Sequence, residues 1–174
     1  MANHKIGDHV YHTFCGVCQI KDIAKLDGDP SGNEYYVLSP LYGDDQRNII
    51  RVPVSNSSSL RRPLDREGAI ALIKSWPSPD QDLYILDSKQ RKLAYERALN
   101  SGMIEDLATL LEGALQRKRR DTHLNSMDGQ FVNRASPIVY GELSFALGIP
   151  YDEVVPYLDK LTGKDKLTGK DKLG

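Results

Sequence analysis

Four side chains near the N-terminus, spaced three residues apart, are of the types that bind metals: His9, His12, Cys15 and Cys18. Imidazole and thiolate are zinc ligands, and a C-x-x-C pair is half of many zinc sites. Residues three apart on an extended strand point to opposite faces, so a turn would have to gather all four. The sequence contains no second C-x-x-C pair. We therefore interpret the two cysteines as small residues of a β-turn, and keep a zinc- or thiol-dependent binding or redox module as the alternative.

The candidate catalytic residues form no recognisable arrangement. The four histidines, at positions 4, 9, 12 and 123, belong to no nucleophile pattern. Neither of the Gly-rich phosphate-binding patterns, G-x-G-x-x-G and G-x-x-x-x-G-K-S/T, occurs in the sequence. The sequence therefore favours a protein that is not an enzyme and that carries no metal and no cofactor.

A basic block lies in the second half of the chain. Residues 87–120 carry eight basic and five acidic side chains and residues 121–158 carry one and five, so the net charge of -1 conceals a local excess. Cations of this block can neutralise DNA phosphates without reading bases, which gives weak and salt-sensitive binding. A solvated helix end is the competing interpretation. The candidate DNA contacts are Lys89, Arg91 and Lys92, together with Arg117, Lys118, Arg119 and Arg120.

Strands and helices must position these side chains. The pattern of the first 60 residues predicts a β-module. Four short runs rich in Val, Ile and Tyr are separated by Gly, Pro, Asn and Asp. In the last run Val52 alternates with Arg51 and Pro53, so Arg51 should face outward. Pro53 cannot donate a ladder hydrogen bond, which predicts an edge strand that an incoming strand could pair with. The four runs are 9–11, 17–23, 34–39 and 48–54.

From Asp65 onward the pattern is helical. Asp65 is predicted to cap a helix that places Trp76 in the core and that Pro77 and Pro79 end. Gly102 is expected to stop a second helix. In a third helix, apolar residues follow the helical period from position 104 onward. The cations at its end interact favourably with the helix dipole. The second and third helices are predicted over 88–100 and over 104–120.

The C-terminal third predicts two more helices and a tail. Ser136 and Pro137 suit the cap and first position of a helix that ends at Gly148. A short helix should cover 152–161. The hexamer KLTGKD then occurs twice, at 160–165 and 166–171, without apolar periodicity. We predict that this tail is mobile or not native to the protein.

Composition fits an ordinary globular protein of one or two domains. The chain has 174 residues, of which 40% are hydrophobic and 27% charged. It has no run of about 20 apolar residues and no apolar signal-peptide core, so we expect a cytoplasmic protein without membrane contact. The predicted fold class is α+β, a small antiparallel β-barrel or sheet followed by an all-helical domain. The predicted domains are 1–62 and 63–161, with 162–174 as the tail.

The order of several short motifs resembles one family over about residues 5–158. The β-module opens with I-G-D-x-V-Y, continues with Y-Y-V-L and ends with R-V-P-V, and the helical half contains S-G-M-I-E-D-L and E-L-S-F-A-L-G. This combination is similar to the CarD/CdnL-type transcription regulators. Their N-terminal module is shared with the RNA-polymerase-interacting domain of the transcription-repair coupling factor.

The resemblance implies a non-enzymatic, bacterial regulator of transcription initiation, which we expect to be a monomer. A Tudor-like β-module would bind the β subunit of RNA polymerase, and the helical module would contact double-stranded promoter DNA near the upstream edge of the bubble. Arg51 falls where the family has a polymerase-contacting arginine. A second basic family position falls on Leu26, with Lys25 beside it. The expected polymerase contacts are Arg51, Lys25 and Pro53.

Two departures from the family pattern bear on function. The family's tryptophan wedge before the basic helix aligns with Ser88, and Tyr84, Ile85 and Leu86 are nearer to this position than Trp76 is. The family's H-G-x-G turn reads Cys-Gly-Val-Cys here, at 15–18. A free-standing RNA-binding β-module is a third possibility, in which Tyr35, Tyr36 and Tyr42 would stack on bases.

Overall fold

The computed structural model of the chain describes residues 3–78 and 80–163, in which an antiparallel β-sheet is followed by a bundle of α-helices. Two short 3-10 segments, Asp44–Arg47 and Val54–Ser59, flank the fourth strand. The fold is therefore α+β, as the sequence predicts. The strands are β1 (His9–His12), β2 (Gly16–Lys25), β3 (Glu34–Pro40), β4 (Ile50–Pro53) and β5 (Leu60–Arg61). The helices are α1 (Arg66–Lys74), α2 (Ser88–Ser101), α3 (Ile104–Asp121), α4 (Ser126–Leu147) and α5 (Tyr151–Thr162).

The sheet is a curled, Tudor-like half-barrel with the strand order β4-β3-β2-β1-β5. All pairs are antiparallel, and a bulge between Ile20 and Asp22 interrupts the regular pairing of β2 with β3. Such a bulge increases the local twist and helps a small sheet to curl. One strand was missing from the prediction: β5 has only two residues, too few for an alternating pattern, and pairs with Tyr11 and His12 of β1.

A separate core fills the concave side of the sheet. Alternate residues of the strands point into it, as the period of two requires. Val52 of β4 is 5% exposed and belongs to this core. The other buried members are Val10, Cys18, Ile20, Tyr36, Leu38 and Leu60.

The helix ends follow the local capping signals. Asp65 accepts a hydrogen bond from the Gly68 amide at the start of α1, and Gly102 ends α2 in the left-handed conformation with φ of 64°. Trp76 follows the C-cap Ser75 and is buried at 8% exposure, which confirms its place in the core. Pro79, predicted to help end α1, lies outside the described residues, as do residues 164–174 of the predicted tail.

The prediction for α4 was wrong, because Pro137 lies inside this helix and not at its start. Asn125 provides the true N-cap, eleven residues earlier, and accepts a hydrogen bond from the Asp128 amide. A proline inside a helix removes the hydrogen bond to the carbonyl four residues earlier. The helix continues because its buried face extends to both sides of the proline, with Phe131 and Ala135 before it and Ile138, Val139 and Leu143 after it.

The sheet and the helices meet along α4. Tyr11 of β1 belongs to the helical core, and its hydroxyl donates to the Gly102 carbonyl at 3.0 Å. Gly141 of α4 lies so close to Tyr42 that an added Cβ would be 2.7 Å from the tyrosine ring. The expected domain boundary between residues 62 and 63 falls in the short connection from β5 to α1. The two parts that it separates are packed against each other. Among the described residues, no helix has the length and apolar character needed to span a bilayer.

Candidate functional site

The edge strand β4 carries the exposed arginine that the sequence singled out. β4 pairs with β3 on one side and is the last strand of the sheet on the other. Arg51 is exposed while Val52 is buried, which confirms the predicted alternation. Val37 lies opposite Arg51 and Tyr35 lies opposite Pro53. Arg51 and Pro53 therefore share the outer face at an open edge.

Lys25 lies on the other face of the sheet. It ends β2 and pairs with Glu34, whereas Ala24 pairs with Tyr35. Since register partners share a face and neighbours along a strand alternate, Ala24 lies on the face of Arg51 and Lys25 does not. The expected trio of polymerase contacts is thus divided, and only Arg51 and Pro53 are brought together.

Arg91 is corrected as a DNA contact, because its guanidinium is buried inside the helical module. The side chain is 6% exposed, and Nε lies 2.8 Å from Oδ1 of Asp128. Its Nη1 donates to the carbonyls of Ile85 and Leu86 at 2.7 Å and 3.1 Å. A guanidinium that is buried and paired in this way offers little surface to a phosphate, and its bonds hold the segment before α2.

Asp128 is the centre of this buried network and was missed from the sequence. Its carboxylate is fully buried and accepts from the Tyr84 hydroxyl at 2.7 Å and from the Tyr95 hydroxyl at 3.0 Å. Burial, with the nearby Asp128 charge, raises the pKa of Tyr95 well above its usual value. The side-chain amide of Asn125 adds a fourth donor at 2.8 Å. One carboxylate therefore joins the 84–86 segment, α2 and the start of α4.

The segment 84–86, which Arg91 and Asp128 hold in place, presents an exposed apolar residue beside two exposed lysines. Leu86 is 75% exposed, although its carbonyl is held by Arg91. Asp87 caps α2 by accepting from the Gln90 amide, and Lys89 is exposed in the first turn. Lys92, one turn later, is also exposed and lies 3.9 Å from Glu96. This corner of the molecule combines positive charge with one protruding apolar side chain.

The cations at the end of α3 lie at the same end of the bundle. The Arg117 guanidinium is 5.2 Å from the centre of the Tyr84 ring, and Arg117 is paired with Asp121. Arg120 reaches Asp82 at 3.6 Å, and Lys118 is exposed. Arg119 pairs with the buried carboxylate of Glu112 at 2.8 Å. The pairs of Arg117 and Arg120 are open to solvent and therefore weak, about 0–1 kcal/mol, so phosphates can compete for these two cations. Arg119 differs from them, because its partner carboxylate is buried. We call the surface of Leu86, Lys89, Lys92, Arg117, Lys118 and Arg120 the basic corner.

The predicted metal-type residues are dispersed. The His9 ring packs 4.9 Å from Phe145, whereas His12 is buried and its Nδ1 accepts from the Phe14 amide at 3.3 Å. Cys18 is fully buried, and burial raises the pKa of its thiol to about 12, with the neighbouring Cys15 adding to the shift. In the part of the chain that the structure describes, no three His, Cys, Asp or Glu side chains are grouped as metal ligands. The β-turn interpretation is confirmed for Cys15 but is wrong for Cys18, which lies in β2 opposite Val10 and belongs to the buried core of the sheet.

The three tyrosines considered for base stacking have packing roles. Tyr36 is fully buried, and the Tyr35 hydroxyl donates to Asp29 at 2.9 Å. Tyr42 stacks on Tyr151 of α5, with 5.7 Å between ring centres. Tyr36 points into the core and Tyr35 lies on the outer face, so the three rings do not form one row open to bases.

Arg134 of α4 is a further exposed cation that the sequence analysis missed. Its guanidinium lies 6.0 Å from the ring centre of Phe14, which is 48% exposed in the turn between β1 and β2. Both line a cleft of about 500 Å³ between the sheet and α4. A single arginine in an acidic stretch gives no sequence signal, and only the packing of α4 on the sheet brings it to Phe14.

An edge strand with an outward cation, on a sheet that packs against helices, is an arrangement suited to binding another protein. Residues 4–64 match the family model of the CarD-like/TRCF RID domain, so the chain carries this domain over about a third of its length. The match lies on the sheet and includes β4. The RID is an RNA-polymerase-interacting domain, so the match supports a transcription-related role. The matched family is one of interaction domains and not of enzymes. The search of curated proteins found no match.

Proposed function

We propose that this protein regulates transcription initiation by docking on the β subunit of bacterial RNA polymerase through β4 and placing its basic corner on promoter DNA. The observation that supports this most directly is the exposed Arg51 on the open edge of the RID domain. Its site of action would be the bacterial cytoplasm, and one copy would suffice for both contacts.

The docking step follows from the backbone of an edge strand. β4 uses one side to pair with β3, so the backbone groups on its other side are available for a strand of the partner. Pro53 has no N–H and limits such pairing to the residues before it. Arg51 lies within this stretch and would add a charge-assisted hydrogen bond to an acidic side chain of the partner.

The DNA step relies on few phosphate contacts. Lys89, Lys92 and the exposed end of α3 can each neutralise a phosphate, while Arg91 contributes by fixing the corner. Because the chain as a whole has a net charge of -1, such binding is weak for the free protein. Docking on polymerase raises the effective concentration of the corner near the promoter and makes a weak contact sufficient.

Leu86 gives the corner an apolar tip. Apolar side chains such as Leu can insert between base steps from the minor groove and kink the duplex. Leu86 protrudes from a backbone that Arg91 and the Asp87 cap hold in place. The family's tryptophan wedge aligns with Ser88, whose short polar side chain cannot insert between bases. We propose that Leu86 makes this contact with the DNA instead.

The experiment is retention of purified polymerase β subunit by the immobilised full chain. We expect wild-type protein to retain the subunit and Arg51→Glu to lose most of the retention. Arg62→Glu is the matched control, because Arg62 is also exposed but follows β5 at the opposite edge of the sheet. Failure of the wild-type protein to retain the subunit would sink the proposal, whereas equal loss in both variants would show that general charge, and not the β4 edge, carries the contact.

A further inference from the structure

A largely apolar cleft of about 540 Å³ lies between the end of α1, the segment 76–78 and the end of α5. This volume is within the range of small-molecule sites, about 300–1,000 Å³. Leu161 is 53% exposed at one wall, whereas Ile73 is almost fully buried. The apolar lining is formed by Ile70, Ile73, Trp76, Pro77, Tyr157 and Leu161.

The polar side chains among the described residues that line the cleft are one amine and three hydroxyls. They are the ammonium of Lys74 and the hydroxyls of Ser78, Tyr157 and Thr162, and no carboxylate is among the described residues that line it. The Thr162 hydroxyl already donates to the Leu158 carbonyl at 2.7 Å. Lys74 therefore gives the cleft a positive charge that no acid among its described lining residues balances, and a ligand with an anionic group is the complementary one.

Trp76 provides the second observation. Its side chain lines the cleft and the residue is only 8% exposed. Its indole Nε1 is the one buried side-chain N or O atom without a hydrogen-bond partner in the described part of the chain. Buried donors are normally satisfied, so the unpaired N–H of a side chain that lines the cleft is a donor that a bound acceptor could satisfy.

We propose that this cleft binds an aliphatic carboxylate. The hydrocarbon chain would cover Ile70, Ile73 and Leu161, and the carboxylate would pair with Lys74 and supply the acceptor that Trp76 lacks. The cleft shares no residue with β4 or with the basic corner, so this inference is independent of the proposed docking on polymerase. It would make the helical module responsive to a small amphipathic anion.

The chain has a single tryptophan, so Trp76 reports on the cleft without interference. Octanoate is titrated into the full-length protein while the Trp76 emission and the single indole N–H resonance are recorded. 1-Octanol serves as the matched neutral probe. We expect a saturable change with octanoate, a downfield shift of the indole proton, and roughly ten-fold weaker binding of octanol, which lacks the charge.

Two variants separate charge from packing. Lys74→Glu should weaken octanoate binding roughly ten-fold and leave octanol unchanged, whereas Lys21→Glu, an exposed lysine of β2, should change neither. Leu161→Glu, at an exposed wall position, should weaken both probes without unfolding the protein. No saturable response to octanoate would overturn the proposal. An equal response to both probes that persists in Lys74→Glu would also overturn it, because the site would then not recognise a carboxylate.

Discussion

Arg61 of β5 and Glu142 of α4 form a two-pronged ion pair between the sheet and the helices. Nη1 and Nη2 of Arg61 lie 2.6 Å and 2.8 Å from the two carboxylate oxygens. Glu142 is fully buried and also accepts from the Leu64 amide at 2.8 Å. The Arg61 guanidinium stacks 3.6 Å from the centre of the Tyr11 ring. Burial acts to lower the pKa of Arg61, but the hydrogen bonds and charge of Glu142 outweigh it and raise the pKa.

Removal of the Glu142 carboxylate should destabilise the whole chain. Glu142→Ala leaves Arg61 and the Leu64 amide without their acceptor, and we expect the free energy of unfolding to fall by about 3 kcal/mol. Arg61→Lys keeps the charge but loses the fork, so a smaller loss is expected. Urea unfolding measures both. Arg62→Ala, an exposed neighbour, should have almost no effect, and an equally small effect of Glu142→Ala would contradict the importance of the pair.

Neighbouring cations of α2 should respond differently to substitution. Arg91→Ala leaves Asp128 buried without its partner and should lower the free energy of unfolding by about 3 kcal/mol or more. Lys89→Ala and Lys92→Ala should leave stability unchanged and reduce the salt dependence of binding to promoter duplex, by about one in the slope of log K against log salt for each lysine. Fluorescence anisotropy at several salt concentrations measures this slope. Lys21→Ala is the control, and unchanged slopes for Lys89 and Lys92 would remove them from the DNA surface.

Stability should fall on mild acidification because of His12. Burial lowers the pKa of His12 from its ordinary value of 6.5, so the folded state favours the neutral ring whose Nδ1 accepts from the Phe14 amide. Above pH 6.5 neither state takes up the proton. As the pH falls from 6.5 towards the lower folded pKa, the unfolded chain binds it first, and this stability is lost. Urea unfolding at pH 7.5 and 5.5 should show the loss in wild type but not in His12→Gln; the same drop in both proteins would assign it to other groups.

Two glycine-to-alanine substitutions should have opposite signs. At Gly102, with φ of 64°, a Cβ would lie 2.8 Å from Cγ2 and 3.1 Å from Cα of Thr13, and we expect destabilisation by roughly 2 kcal/mol. At Gly129, inside α4, no atom beyond the adjoining backbone of the helix lies within 4 Å of the added Cβ, and alanine should stabilise by about 0.5–1 kcal/mol. Thermal unfolding distinguishes the two. A neutral Gly102→Ala would mean that the contact between α2 and the β1–β2 turn is loose.

Local patterns predicted most of the elements. Alternation placed Arg51 outside and Val52 inside, and Asp65, Gly102 and Gly148 mark helix ends by their own backbone chemistry. The prediction for the start of α4 was wrong at Pro137. The proline costs one hydrogen bond of the helix, but the buried apolar contacts on both sides of it outweigh this cost. β5 was missed because it exists only through its pairing with β1.

Local sequence patterns predicted four of the five strands, the five helices, the outward arginine and the basic block, since each of these depends on neighbours within a few residues. The tertiary structure decided which cations are free: Arg91 is buried against Asp128, 37 residues away, and Arg61 is held by Glu142, 81 residues away. It also placed Lys25 and Arg51 on opposite faces of the sheet. Burial and ion pairing are set by partners distant in sequence, so the pattern around a charged residue cannot reveal whether that residue faces solvent or a carboxylate.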